Sequence, residues 1–294
     1  MADFDPFFLD PRQVAHAFNR AAAAYSANAA FQDEIAARLD ERLELVRLAP
    51  PRILEVGAGC GNGVSLLSRR YPQAEIYALD LAVEMLCAGR RHFENHGRLS
   101  HICADAEKLP IADRSVDLIF SNLTLQWCND LEAVFREFNR VLRIEGLLMF
   151  TTLGPDTLKE LRASWAQVND GIHVNAFVDM HDVGDAMIRA GFSGPVLDME
   201  EVTLTYADVP ALMRELKALG AHNVAVGRAH GLSSRRCLQQ MISAYERYRR
   251  SDGRLPATQE VIYGHGWAPS GGTRPQDGST VATFPLSQLH RRVT

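Results

Sequence analysis

The stretch Arg52-Ile53-Leu54-Glu55-Val56-Gly57-Ala58-Gly59-Cys60-Gly61-Asn62-Gly63 decides the fold. Ile53, Leu54 and Val56 read as a short buried strand, and glycines 57, 59 and 61 as a tight turn into a helix over 62–70. A turn without Cβ atoms lets a ligand approach the backbone, and the N–H groups of a helix start favour an anionic group above it. Glu55 sits inside the strand, where a carboxylate needs a partner. A second strand, Glu75-Ile76-Tyr77-Ala78-Leu79-Asp80, ends in an acid roughly 20 residues after the glycines, the spacing at which a carboxylate accepts ribose hydroxyls. The glycines run G-x-G-x-G and not G-x-G-x-x-G, so a pyrophosphate-bearing dinucleotide is the poorer fit.

Outward from this stretch, residues 52–152 alternate strands (52–56, 75–80, 99–104, 116–122, 146–152) with helices (62–70, 82–93, 130–142). That alternation predicts a parallel sheet with helices on both faces, and ligands at the carboxyl ends of the strands. The spacing Glu55-x-Gly57-x-Gly59-x-Gly61 resembles motif I of the class I methyltransferases that use S-adenosylmethionine. The resemblance implies a Rossmann-like α/β fold: a seven-stranded, mostly parallel sheet with an antiparallel last strand. It also implies roles. Gly57, Gly59 and Gly61 would meet the methionine moiety through their backbone, and Glu55 would orient that loop or the amine. Asp80 would take the ribose, and Leu81 and Met85 would pack on the adenine. Asp105 and Ala106 would border the adenine, Ser121 at the end of the fourth strand would be a further cofactor-binding residue, and Trp127 would pack at the edge. The Asn-Pro-Pro-Tyr type of sequence carried by amine methylases is absent at Ser121-Asn122-Leu123-Thr124, and no metal-ligand cluster is evident, so neither an adenine amine nor a metal-bound catechol is the expected acceptor.

The flanks elaborate this core. Residues 1–48 form an N-terminal helical cap in which Tyr25 is expected over the ligand cleft, with His16 and Arg20 as further polar groups. Residues 49–204 are the cofactor-binding core. Gly154-Pro155 stops its fifth strand, Thr157 and Glu160 are spaced as a capping box, and a sixth strand covers 196–205. Residues 205–256 are a helical insertion, a lid with helices over 208–220 and 234–250. Residues 257–267 are the last core strand, and 268–294 read as a flexible tail. Composition is that of a soluble globular protein, 47% apolar and 23% charged. No apolar run is long enough to span a bilayer, no signal-peptide core precedes the first helix, and five scattered cysteines support neither disulfides nor zinc, so a cytoplasmic protein is expected. Net charge is −5, but residues 205–254 carry nine Lys/Arg against four Asp/Glu, which suggests an anionic partner.

Four stretches narrow the resemblance: Phe18 to Gln32, Leu125-Gln126-Trp127-Cys128-Asn129-Asp130, Phe150 to Arg162, and His173 to Phe192. With Tyr263-Gly264-His265-Gly266-Trp267, they look like the malonyl-acyl-carrier-protein O-methyltransferases of biotin synthesis. The likeness implies methylation of the free carboxylate of a malonyl thioester, presented by an acyl carrier protein or coenzyme A. No metal and no membrane are expected from the residues, and no nucleic acid either, because the basic residues sit in one insertion with no recognised RNA-binding module. An ionised carboxylate is already nucleophilic, so the chemistry rests on positioning and on exclusion of water. Tyr25, His16, Arg20 and His173 are the positioning candidates, and no catalytic residue is assigned. Arg20, Arg214 and Arg228 are candidates to hold the carboxylate, and Arg235, Arg236, Arg247, Arg249 and Arg250 to dock the carrier. The alternatives are a methyltransferase acting on a quinone or polyketide, and a relative with a changed reaction, since the Thr151-to-Arg162 stretch is also similar to a mitochondrial complex I assembly factor that hydroxylates an arginine.

Overall fold

The computed structural model describes residues 5–91, 97–229, 231 and 234–270. Among them, seven strands form one sheet: β1 (Arg52–Val56), β2 (Glu75–Asp80), β3 (Leu99–Cys103), β4 (Val116–Ser121), β5 (Leu142–Leu153), β6 (Ser193–Tyr206) and β7 (Leu255–Trp267). Their order is β3-β2-β1-β4-β5-β7-β6, and β7 is antiparallel to both neighbours. The expected architecture is therefore present. β1 and β4 lie at the centre and are almost wholly buried, as parallel strands covered on both faces must be. The chain reverses its direction of progress between them, so the loops after β1 and β4 diverge and open a crevice at their carboxyl ends.

Helices α2 (Ala30–Arg42) and α3 (Asn62–Arg70) cover one face through Ile35, Leu39, Val64 and Leu67. Helices α5 (Leu131–Val141) and α7 (Met180–Arg189) cover the other through Phe135, Phe138, Val183 and Met187. α5 starts where the Asp130 side chain accepts from the Ala133 N–H at 2.8 Å, a cap that satisfies one orphan donor. α4 (Val83–Arg90) packs against α1 (Pro11–Asn28), which begins at the capping Asp10 and a proline suited to the first turn.

β5, β6 and β7 run longer than the sequence pattern predicts. β6 is an edge strand whose charged residues obscure its alternation. Those charges are engaged from α2: Arg38 pairs with Glu200 at 2.9 Å and Arg42 with Asp198 at 2.7 Å. The capping box at Thr157 and Glu160 does not form. Leu158 takes a left-handed conformation (φ 54°), and α6 (Lys159–Trp165) starts after it. Both side chains turn instead toward β7. Glu160 accepts from the N–H and hydroxyl of Thr258, and Thr157 accepts from the Glu260 N–H at 3.1 Å. Pairing with buried strand donors outweighs a local cap, because an unpartnered buried N–H is costly.

The segment between β6 and β7 carries α8 (Val209–Ala218) and α9 (Arg235–Tyr245). These helices share a core of their own with α6, built on Trp165, Tyr206, Leu212, Met241 and Tyr245. After α8 the chain turns back across α1. Leu9 bridges Ala225, and Val14 and Ala17 pack with Val224 and Ala225. α1 and the segment after α8 thus close over the carboxyl ends of the strands. Of the expected tail, Ala268 is tied to the sheet by its N–H to Gly146 at 2.8 Å, and residues 271–294 lie outside the described residues.

Candidate active site

Three adjoining cavities occupy the crevice. Their walls are set by the loop after β1, the loops after β2, β3 and β4, and the covering helices. The first is lined by Leu81, Met85, Asp105, Ala106, Glu107 and Trp127, among others. The second lies over the glycine turn and meets Glu55, Cys60, Asn62 and Ser65. The third, about 1470 Å³ with its open mouth, is walled by α6, α8, β6 and residues 173–177. Tyr25 lines all three.

The glycine turn works differently from the sequence expectation. Gly57, Gly59 and Gly61 all have positive φ (74°, 53° and 91°). Yet their N–H groups are used inside the protein: Gly57 and Ala58 donate to Leu79 O, Gly59 donates to Asp80 Oδ2 at 2.8 Å, and Gly61 donates to Ala58 O. What the turn offers a ligand is space at Gly59, where a Cβ would meet nothing within 4 Å; the missing Cβ atoms of Gly57 and Gly63 make room for protein. A Cβ on Gly57 would overlap the Thr124 side chain, and one on Gly63 would overlap the Glu55 carboxylate.

Glu55 is 4% exposed, and its Oε2 has no hydrogen-bond partner. Burial, and then the charge of Asp80, raises its pKa well above the usual carboxylate range. A buried carboxyl with an unpartnered oxygen at a cavity wall fits a cationic ligand group such as an α-ammonium. Asp80 accepts from the Gly59 N–H on one oxygen and from the Ala82 N–H on the other. Burial raises its pKa against those backbone donors. Each oxygen keeps a second lone pair, so a ribose diol is still accommodated.

Leu81, Met85, Asp105 and Ala106 all line the first cavity, as does Trp127, which meets the Phe18 ring edge-on at 5.0 Å. Ser121 lines none of the three. It is fully buried, and its hydroxyl donates to Val56 O at 3.0 Å, tying β4 to β1. His16 and Arg20 are exposed on α1 and lie outside the cavities. His173 is in the third cavity, stacked on Trp165 at 3.8 Å and paired with Asn169 at 2.7 Å; burial lowers its pKa. It forms wall.

None of Arg20, Arg214 and Arg228 lines the third cavity. Arg228 is held by Val224 O, Ala225 O and Gln13 Oε1. Of the arginines expected to dock a carrier, Arg249 is bound to Glu246 and two backbone carbonyls, Arg250 lies 4.0 Å from Asp252, and Arg247 donates to the Tyr248 hydroxyl. Arg235 and Arg236 are exposed on the first turn of α9.

Residues that sequence reasoning passed over complete the site. Asn122 ties α2 to β5, donating to Gln32 O at 3.0 Å and accepting from Thr151 at 2.8 Å. Thr124 closes over Gly57. Gln32 lines the second and third cavities, and its buried Oε1 has no partner. No local signal marks it, because α2 is polar along much of its length.

This fold and crevice define a class I methyltransferase. The family model described as "Methyltransferase domain" matches residues 54–150. Among solved structures, the YcgJ protein of Bacillus subtilis has a TM-score of 0.58 at 16% identity, covering 79% of this chain and 98% of its own. Phosphoethanolamine N-methyltransferase 2 of Haemonchus contortus, in complex with S-adenosyl-L-methionine, has a TM-score of 0.54 at 16% identity, covering 85% of this chain and 57% of its own. The full chain narrows the class. The malonyl-[acyl-carrier protein] O-methyltransferase of Laribacter hongkongensis is 49% identical over 95% of this chain and 97% of its own, and that of Methylovorus sp. is 50% identical over 95% and 96%. The chain belongs to the malonyl-[acyl-carrier protein] O-methyltransferase family. No helix among the described residues is long and apolar enough to cross a membrane.

Proposed function

We propose that the chain methylates the free carboxylate of a malonyl thioester on an acyl carrier protein, with S-adenosylmethionine as methyl donor, as the pimeloyl branch of biotin synthesis requires. The observation that carries this reading is the junction between the cavities. Phe18, Tyr25, Leu123 and Trp127 line both the first and third, and Tyr25 and Gln32 both the second and third. No carboxylate, imidazole, thiol or amine is among them. The Tyr25 hydroxyl is no base either, because burial and the nearby Asp80 charge raise its pKa and keep its proton on. An amine or phenol acceptor would need a base at that point. A carboxylate, with an unperturbed pKa near 4, is ionised at neutral pH and needs none.

When bound, S-adenosylmethionine supplies a methyl group on a sulfonium, open to in-line displacement. The protein's part is binding and alignment. Glu55 accepts from the ammonium of the methionine moiety, and the carboxylate gives up its proton for that pairing. Asp80 accepts from the ribose. Leu81, Met85 and Ala106 enclose the adenine, with Asp105 at its edge. The Tyr25 hydroxyl and the Gln32 amide, turned to present its NH₂, donate to the malonyl carboxylate and aim one oxygen at the junction. Neutral donors suit this task. An arginine fork would hold the anion more tightly in the ground state than in the transition state, where its charge is disappearing. Phe18, Leu123 and Trp127 exclude water.

The test is a methyl-transfer assay with labelled S-adenosylmethionine against malonyl- and acetyl-carrier protein. Base-labile label in the malonyl thioester alone is the expected result. Cofactor binding with no label in either acceptor would overturn the reading.

A further inference from the structure

The third cavity is far larger than a three-carbon acyl group needs, and Lys217 and His222 are among the residues that line it. One side of it is formed where α1 meets the segment after α8. Gly220 sits there, where a Cβ would lie 3.1 Å from Ala17 O and 3.2 Å from Ala21 Cβ, so the two elements are in close contact. Lys217 and His222 flank Gly220 and line the cavity. Arg20 and His16 lie one turn apart on α1, and their charges reach His222. Among the described residues, Arg20, Lys217 and His222 have no hydrogen-bond or ion-pair partner. This contrasts with Arg38, Arg42, Arg70 and Arg140, each paired with carboxylates. Burial lowers the His222 pKa, and the charges of Arg228, Arg20, Lys217 and His16 lower it further, with no carboxylate acting against them. Unpaired cations gathered beside one wall of a cavity form a seat for an anion.

We infer that this seat receives the phosphodiester of the prosthetic arm on which the malonyl thioester is carried, with Arg20 and Lys217 supplying charge and His16 and His222 further hydrogen bonds. The inference rests on the carrier-bound thioester reading above. The arm then runs inward past Phe18, Leu216 and Trp165 to the junction at Tyr25 and Gln32. The malonyl carboxylate lies at one end of the ligand and the phosphate at the other. The seat measures the arm, while the junction reads the acyl end.

The experiment compares two small substrates that differ by one phosphate, malonyl-4′-phosphopantetheine and malonyl-pantetheine, in the wild type, in the double variant Arg20→Ala/Lys217→Ala, and in Arg20→Lys/Lys217→Arg. Charge-assisted hydrogen bonds to one phosphate correspond to a wild-type kcat/KM preference of ~10- to 100-fold for the phosphorylated arm. The alanine pair is expected to reduce that preference to about 2-fold, and the conservative pair to restore most of it. A preference that survives in the alanine pair overturns the seat. So does a loss seen with malonyl-carrier protein but not with malonyl-4′-phosphopantetheine, which would make these cations a contact for the carrier's acidic surface. Failure of wild-type enzyme to methylate any malonyl thioester would instead overturn the reading on which the inference rests. Calorimetric titration with 4′-phosphopantetheine alone then still tests the seat, because the alanine pair should weaken that binding by ~10-fold or more.

Discussion

The proposed cofactor end and the proposed acceptor end of the crevice are built on different plans. The cofactor end comes from short contiguous stretches. Residues 55–63, 80–85 and 105–107 each end or follow a strand, and they present to the crevice a missing Cβ, a carboxylate or a packed apolar side chain. The acceptor end gathers single side chains from Phe18 to Gln259 across helices that belong to different cores. The first is a property of the sheet's edge. The second is a property of how the covering elements pack on one another.

If that contrast holds, a change at the glycine turn abolishes cofactor binding, and a change at the acceptor wall leaves it intact. The largest effect is expected from Gly57→Ala. Its methyl group must displace Thr124 at a backbone with positive φ, and S-adenosylmethionine binding by calorimetry should weaken by at least ~100-fold. Glu55→Gln comes next, at ~10- to 100-fold, because a charge-assisted pairing becomes a neutral one. It also carries a pH signature. The free-state pKa of Glu55 is raised, so cofactor binding releases a proton and affinity rises as pH rises through that value. Glu55→Gln removes this part of the pH dependence, measured as proton release in buffers of different ionisation enthalpy.

The acceptor end should respond in turnover. Tyr25→Phe and Gln32→Ala are each expected to lower kcat/KM for malonyl thioesters by ~10-fold, with cofactor affinity within about 3-fold of wild type. A larger fall in cofactor affinity for Gln32→Ala would break the division between the two ends. The smallest effect is expected at Arg235 and Arg236, exposed on α9. Their joint replacement by alanine should raise KM for malonyl-carrier protein by ~2- to 4-fold at low salt and leave the small thioester unaffected, because rim charges act mainly on encounter.

The same contrast explains what could be read from the sequence. The turn after β1, the acid ending β2 and the Asp105-Ala106 step were legible as walls of the crevice, because a place at the carboxyl end of a strand follows from residue type and local spacing. The alternation of strands fixed the sheet as well. The inner work of the turn was not legible, since the N–H groups of Gly57, Gly59 and Gly61 are consumed by Leu79, Asp80 and Ala58. Ser121 had the right place in the chain but faces Val56. Thr157 and Glu160 had the spacing of a cap but pair with β7, a partner about a hundred residues away. Gln32 carries no local signature, because only the meeting of α2 with two cavities gives it a role. Docking arginines were chosen by charge, and charge does not reveal that Glu246 and Asp252 already answer Arg249 and Arg250.

The position of β7 has a consequence for synthesis. It lies between β5 and β6 but follows both in the chain, after the whole α8–α9 segment. As the polypeptide leaves the ribosome, β6 has no strand to join until residues 255–267 emerge. Until then β5 presents an open edge with unpaired donors and acceptors, a template for another nascent chain. The α8–α9 segment must therefore be folded, or at least held aside, before the sheet is finished, and a pause in translation near residue 250 would leave β1 to β5 assembled with the β5 edge bare.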